Sequence, residues 1–206
     1  MTQQTSFNYQ FKINLNEFNF FVNETNLYAF NSLINNKNQL SFLYGPNKCG
    51  KSFLSNIWLK KYDAIQLNDN FKFPLQNKQN LLIDDILSYK EETVFHLVNN
   101  CILNNLKIPI TSNRKINDIT FRFNDLSSRL RTFSYLEIKK PNDEMLLTIL
   151  TKLLIDKQFI IKSHDIFHYI LRRVDRTYEG IHEIVNKLDI LSLEKKRQLT
   201  IPLIKE

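Results

Sequence analysis

Gly45 to Ser52 reads GPNKCGKS and fills every fixed position of G-x-x-x-x-G-K-S. This pattern binds phosphate because each residue type has a task. Gly45 and Gly50 permit a tight turn, and the backbone of Pro46, Asn47, Lys48 and Cys49 lines it. Lys51 reaches the β/γ-phosphates of a nucleotide, and the Ser52 hydroxyl binds Mg²⁺. The alternative is an ordinary strand-to-helix turn that matches by accident. Only three glycines occur in 206 residues, and two of them stand at the two positions the loop requires, so accident is a poor explanation. Cys49 reads as a tolerated small side chain, reactive only if it is exposed and its pKa lowered.

Downstream, LLIDDI at Leu81 to Ile86 is an apolar run ending in two acids. Asp84 suits the Mg²⁺ shell and Asp85 a catalytic water, although such a pair can also cap a turn. His164 and His168 in HDIFH have the i, i+4 spacing of zinc peptidases. The central Glu of that motif and a third ligand are missing, so a histidine pair on a lid surface or core face is the better reading. His96 and His182 carry no firm signal.

These residues need elements to hold them. Leu27, Phe30, Leu33 and Ile34 recur at helical spacing within Glu24 to Asn36, ahead of a short buried strand at Ser41 to Tyr44. A helix over Lys51 to Lys61, a strand at Ala64 to Leu67 and a third strand at LLIDDI follow. Ser88 and Glu91 form an S-x-x-E capping box, which predicts a helix starting there and running to about Asn104. Lys107 to Thr111 is a fourth strand, Asp125 to Arg131 a helix and Phe133 to Ile138 a fifth strand. Alternating strands and helices imply a parallel sheet covered on both faces. After Pro141 the segments MLLTILTKLL, IFHYILRRV and IHEIVNKLDIL are all helical in period. The expected organisation is an N-terminal extension over 1–20, an α/β nucleotide-binding domain over 21–140 with a five-stranded parallel sheet, and a small all-helical domain over 141–206.

Composition sets the outer bounds. Hydrophobic residues make up 43% of the chain, enough for a real core. No apolar run approaches the roughly 20 residues that span a bilayer, and the N-terminus lacks the order of a secretion signal, so no membrane role and a cytoplasmic location are expected. Two cysteines, Cys49 and Cys101, make no disulfide framework. The net charge of +7 admits a nucleic-acid surface, but the basic residues are spread along the chain, and an AT-rich genome accounts for the abundance of Lys, Asn and Ile.

With these motifs in view, the chain resembles the AAA+ module of the bacterial initiator DnaA, and more closely the shorter Hda family that inactivates DnaA. LYGPNKCGKS and LLIDDI match the two Walker motifs, ITSN at Ile110 to Asn113 is similar to sensor 1, and DLSSRLR at Asp125 to Arg131 resembles the arginine-finger box. The terminal LTIPLIKE is similar to the end of Hda proteins. The resemblance implies an AAA+ fold with a helical lid, ATP or ADP with Mg²⁺ as ligand, Asn113 near the γ-phosphate and Arg129 as the finger. An exposed arginine that is solvated or paired with Asp125 is the plainer account of Arg129. Neither the initiator's N-terminal domain nor its helix-turn-helix domain has a counterpart, which argues against origin recognition. At the family's sensor 2 arginine the alignment places Glu179, with Arg176 one turn away. A carboxylate cannot replace guanidinium at a γ-phosphate, so intrinsic hydrolysis is expected to be weak or absent.

QFKINL at Gln10 to Leu15 resembles the clamp-binding peptide of Hda and other replication proteins. Gln10 would fill the polar pocket of the DNA polymerase III sliding clamp (its β subunit), with Phe11, Ile13 and Leu15 as apolar anchors. Asn14 stands where proline is frequent. The same alternation also fits an edge strand of this chain's own sheet. The resemblance therefore implies DnaA and the clamp as partners, DNA contact only through the clamp, and a possible homo-oligomer. Two rivals stand beside it: a helicase-loader-type ATPase acting with single-stranded DNA, and a clamp-bound scaffold that stimulates no hydrolysis.

Overall fold

The computed structural model describes residues 20–35, 38–68, 79–161 and 163–205. The chain divides into two compact units, one spanning Val22–Lys140 and the other containing the residues from Pro141 onward.

In the first unit, helix α1 (Leu27–Asn35) precedes β1 (Leu40–Tyr44), α2 (Lys51–Lys61), β2 (Ile65–Gln66) and β3 (Leu81–Leu82). Helix α3 (Glu91–Leu103), β4 (Ile108–Ser112), α4 (Asn124–Leu130) and β5 (Ser134–Glu137) complete it. All strand pairs are parallel. The ladders form a three-stranded sheet, β4-β1-β5, and a two-stranded sheet, β2-β3. A single parallel bridge, Ile83 to Ile110, joins the two. Among the described residues the strands therefore run in the order β2-β3-β4-β1-β5, as three plus two rather than as the continuous five-stranded sheet that was expected.

The strand expected over LLIDDI stops early. Asp85 takes a left-handed conformation at φ 59°, and Ile86–Ser88 turn as a 3-10 helix. A residue at positive φ cannot continue an extended ladder, so the acids leave the sheet at Asp84. The capping box is also corrected. Helix α3 begins at Glu91 with Lys90 at its N-cap and no side-chain cap. Ser88 Oγ instead donates to Asp85 Oδ2 at 3.1 Å. Glu91 Oε2 accepts from the backbone N–H groups of Arg122 and Phe123 at 2.8 and 3.0 Å, and so holds the turn that leads into α4.

β1 and β4 are apolar because helices cover both faces. Phe42, Leu43, Ile108 and Ile110 are fully buried, and Phe42 and Ile110 join Val94, Leu97, Val98, Leu126 and Leu130 from α3 and α4 in one core. This rigid centre carries the loops discussed below.

The second unit contains α5 (Asp143–Asp156), α6 (Asp165–Leu171), α7 (Tyr178–Lys195) and α8 (Ile201–Ile204). Asn142 caps α5 by accepting from Met145 N at 2.9 Å, and Thr177 caps α7 by accepting from Gly180 N at 3.0 Å. Leu146, Leu150, Leu154, Phe167, Ile170, Ile181, Val185 and Leu199 make its separate core. Gly180 is the third glycine of the chain. A Cβ there would lie 2.5 Å from the Asp175 carbonyl oxygen, so the tight approach to α7 requires it. Among the described residues, no helix is long and apolar enough to cross a membrane.

Candidate functional site

Three loops leave the carboxyl ends of neighbouring strands. Gly45 to Gly50 follows β1, Asp84 follows β3 through its bridge to β4, and Asn113 follows β4. The register pairs Tyr44 with Ser112, so the phosphate loop and Asn113 start from adjacent strand ends. Open parallel sheets bind ligands at this edge, where helix N-termini and loop amides converge.

The loop itself has the backbone that anion binding needs. Lys48 and Gly50 adopt positive φ, 60° and 96°. Left-handed residues of this kind curl successive N–H groups into a concave nest. Gly50 is also the N-cap of α2, and its carbonyl accepts from Leu54 N at 2.9 Å, so the loop feeds directly into a helix N-terminus. Gly45 has a packing role too. A Cβ there would sit 2.6 Å from Ile138 O and 3.1 Å from Cys49 Sγ. Glycine lets the loop press against the segment after β5, where Ile138 N donates to Tyr44 O at 2.8 Å.

Lys51 Nζ donates to Gly45 O at 3.0 Å and Pro46 O at 2.8 Å, and lies 3.8 Å from Cys49 Sγ. The ammonium is therefore held over the loop by its own carbonyls. Asn47, Lys48 and Ser52 are exposed, while Pro46 is half-buried. Cys49 is buried, and burial raises its thiol pKa, with Lys51 opposing in part. The condition for a reactive thiol is therefore not met, and Cys49 is the packed small side chain that was expected. Cys101 lies wholly inside the core, and burial pushes its pKa up to about 12.

The two acids have different surroundings. Asp84 Oδ1 accepts from Thr111 Oγ1 at 2.6 Å, and Asp85 N donates to the same hydroxyl at 2.8 Å. The Asp85 carboxylate caps the 3-10 turn, accepting from Leu87 N at 3.4 Å and Ser88 Oγ at 3.1 Å. Ser52 and Asp84 are hard oxygen donors that suit Mg²⁺. The described residues contain no group of three or more His, Cys, Asp and Glu placed to hold a metal.

Arg129 is exposed on α4. Its guanidinium carbon lies 5.9 Å from the centroid of the Phe95 ring, and Phe95 stacks on Phe123 with centroids 6.4 Å apart. Among the described residues no ion pair joins it to Asp125 and no side-chain hydrogen bond joins it to the phosphate loop. Arg129 is thus exposed on α4 with its guanidinium near the Phe95 ring. Asn113 is exposed immediately after β4. Beside it, Lys115 Nζ lies 3.6 Å from Glu137 Oε1 and 5.9 Å from the Tyr44 ring. Burial first, and then the Glu137 carboxylate, raise the Tyr44 pKa.

In the lid, Glu179 is exposed in the first turn of α7, and Arg176 pairs with Asp143 at the start of α5. His164 stands at the N-cap of α6 with helical backbone angles, His168 lies in its last turn, and both are exposed, in keeping with a histidine pair on a lid surface. Gln10, Phe11, Ile13 and Leu15 lie outside the described residues. Sequence reasoning missed Thr111, although it lies inside the ITSN stretch, because a buried β-strand threonine gives no signal distinct from β-propensity.

A glycine-containing loop after β1, paired acids after β3 and a polar residue after β4 lie along one edge of the sheet, and comparison with known proteins shows which fold carries them. Residues 143–206 match the family model for the Hda lid domain. The fold matches domain III of the DnaA replication initiation protein of Thermotoga maritima with a TM-score of 0.73, at 18% identity over 90% of this chain and 91% of that one. The chain thus has the fold of the DnaA AAA+ module, and its C-terminal segment matches the Hda lid domain. AMPPCP-bound DnaA of Aquifex aeolicus gives a TM-score of 0.65, at 20% identity over 87% of this chain and 68% of that one. An uncharacterized protein of Haemophilus influenzae is 22% identical over 209 residues, covering 90% of each. These likenesses agree with the helical unit after Pro141 and with the parallel sheet of the first unit.

Proposed function

We propose that this AAA+ protein regulates replication initiation by holding ATP or ADP with Mg²⁺ and promoting hydrolysis of ATP bound to DnaA. The match of the whole lid to the Hda lid domain carries this reading. The loop nest, Lys51 and the α2 N-terminus would bind the phosphates, with Ser52 and Asp84 at the Mg²⁺; the bound AMPPCP of the Aquifex aeolicus DnaA structure supports the same ligand class. Asn113 would face the γ-phosphate. Asp85, tied to its own turn, is poorly placed to activate water, and Arg176 is paired with Asp143. Both features favour a nucleotide that is held and turned over slowly, with the nucleotide fixing the shape of the regulator.

Productive hydrolysis would take place on the partner. Arg129 would enter the site of a bound DnaA and stabilise charge on the transferring phosphoryl group. Gln10, Phe11, Ile13 and Leu15 would tether the protein to the sliding clamp, so that its contact with DNA runs through the clamp. The test is conversion of DnaA-bound ATP to ADP with clamp loaded on DNA. Acceleration that requires this protein, the clamp and an intact Gln10 is the expected result. Clamp binding without acceleration would favour the scaffold reading instead. The net charge of +7 favours the helicase-loader reading, which predicts steeply salt-dependent binding to single-stranded DNA.

A further inference from the structure

Thr111 occupies a position from which it can decide how Asp84 meets a cation. It is buried in β4, 1% exposed, and its backbone N–H donates to Ile83 O at 2.9 Å, which fixes it beside the strand carrying the acids. A threonine hydroxyl has one proton and two acceptor lone pairs. The N–H of Asp85, 2.8 Å away, can only donate, so it takes a lone pair. The hydroxyl proton must then go to the other neighbour, Asp84 Oδ1 at 2.6 Å. That length is typical of a charge-assisted O–H···O⁻ bond. The β-branched side chain is stiff about χ1, so the donor has little freedom to turn elsewhere.

We propose that Thr111 is a positioning residue for the metal-binding carboxylate of Asp84: its directed hydrogen bond holds Oδ1 and turns the carboxylate so that Oδ2 serves the nucleotide's Mg²⁺. The same hydroxyl, by accepting from Asp85 N, stabilises the left-handed turn that carries the Asp85 carboxylate to Ser88. One buried threonine thereby gives two adjacent acids different tasks. The inference rests on the nucleotide and Mg²⁺ reading above.

The test is binding of a fluorescent ATP analogue to the full chain, titrated with Mg²⁺ and repeated in EDTA. Thr111→Val removes the donor at nearly constant shape, and Thr111→Ser restores it. Loss of an outer-shell partner of a metal ligand weakens metal affinity about 10- to 100-fold, so Thr111→Val should raise the half-saturating Mg²⁺ about tenfold or more. Binding in EDTA should stay at the wild-type level, and Thr111→Ser should return the Mg²⁺ midpoint close to wild type. If Thr111→Val does not fold, Thr111→Cys, a weak donor of similar shape, should show an intermediate midpoint. An unchanged Mg²⁺ midpoint, or an equal loss with and without Mg²⁺, overturns the proposal. Wild-type protein that binds the analogue with no Mg²⁺ dependence also overturns it while leaving nucleotide binding intact; wild-type protein that binds no analogue at all removes the underlying reading as well.

Discussion

In the proposed function, Lys51 is the residue on which phosphate binding would depend most directly. Its ammonium already lies within hydrogen-bond reach of two loop carbonyls, so the loop presents a fixed positive charge without a large search of rotamers. Lys51→Ala should abolish detectable nucleotide binding while leaving the thermal midpoint without nucleotide nearly unchanged, as titration calorimetry and a melting curve would show. Cys101 gives a prediction of the opposite kind, about stability alone. Burial holds the folded thiol protonated up to about 12, whereas an unfolded cysteine ionises near 8.5. The folded state then binds more protons between those values, so stability is fully present below the unfolded pKa and falls as pH rises toward 12. Urea titrations at pH 7 and pH 10 should show this loss, and Cys101→Ala should flatten it.

At the scale of elements, Gly45 couples the phosphate loop to the end of β5. Gly45→Ala would drive a Cβ to within 2.6 Å of Ile138 O, and backbone cannot yield cheaply. Overpacking of this kind costs about 1–3 kcal/mol, and here it should also displace the loop, so weaker nucleotide binding is expected together with a lower denaturation midpoint. Much of this was legible in the sequence. The spacing of GPNKCGKS fixed both the loop and α2, and the bounds of α2 agree with its apolar and basic pattern because the loop forces its start. Where the sequence misled, side chains had long-range alternatives. Glu91 looked like half of a capping box, but its carboxylate serves Arg122 and Phe123 some thirty residues away, a bond no local pattern encodes. LLIDDI looked like strand throughout, but Thr111 on a neighbouring strand bonds the Asp84 carboxylate and the Asp85 backbone N–H where the chain turns. Gly180 was visible only as a rare residue until the Asp175 carbonyl appeared beside it.

At the scale of the whole molecule, two separate cores carry two sets of loops. The lid core includes Leu199, and Leu203 on α8 is also fully buried. Removing residues 199–206 should therefore destabilise the lid by about 1.5–3 kcal/mol for each leucine lost, visible as faster hydrogen exchange in α6 and α7. Arg129 is exposed on a helix whose entry turn is held by Glu91, and an exposed guanidinium suits action on a second molecule. The most direct test is single-turnover hydrolysis of labelled ATP bound to DnaA, with clamp on DNA, comparing wild type with Arg129→Ala. The account predicts that wild type accelerates hydrolysis and that Arg129→Ala loses nearly all of the acceleration, since such fingers contribute about 10³ to 10⁵ in rate in GTPases. Equal rates with wild type and Arg129→Ala would contradict it.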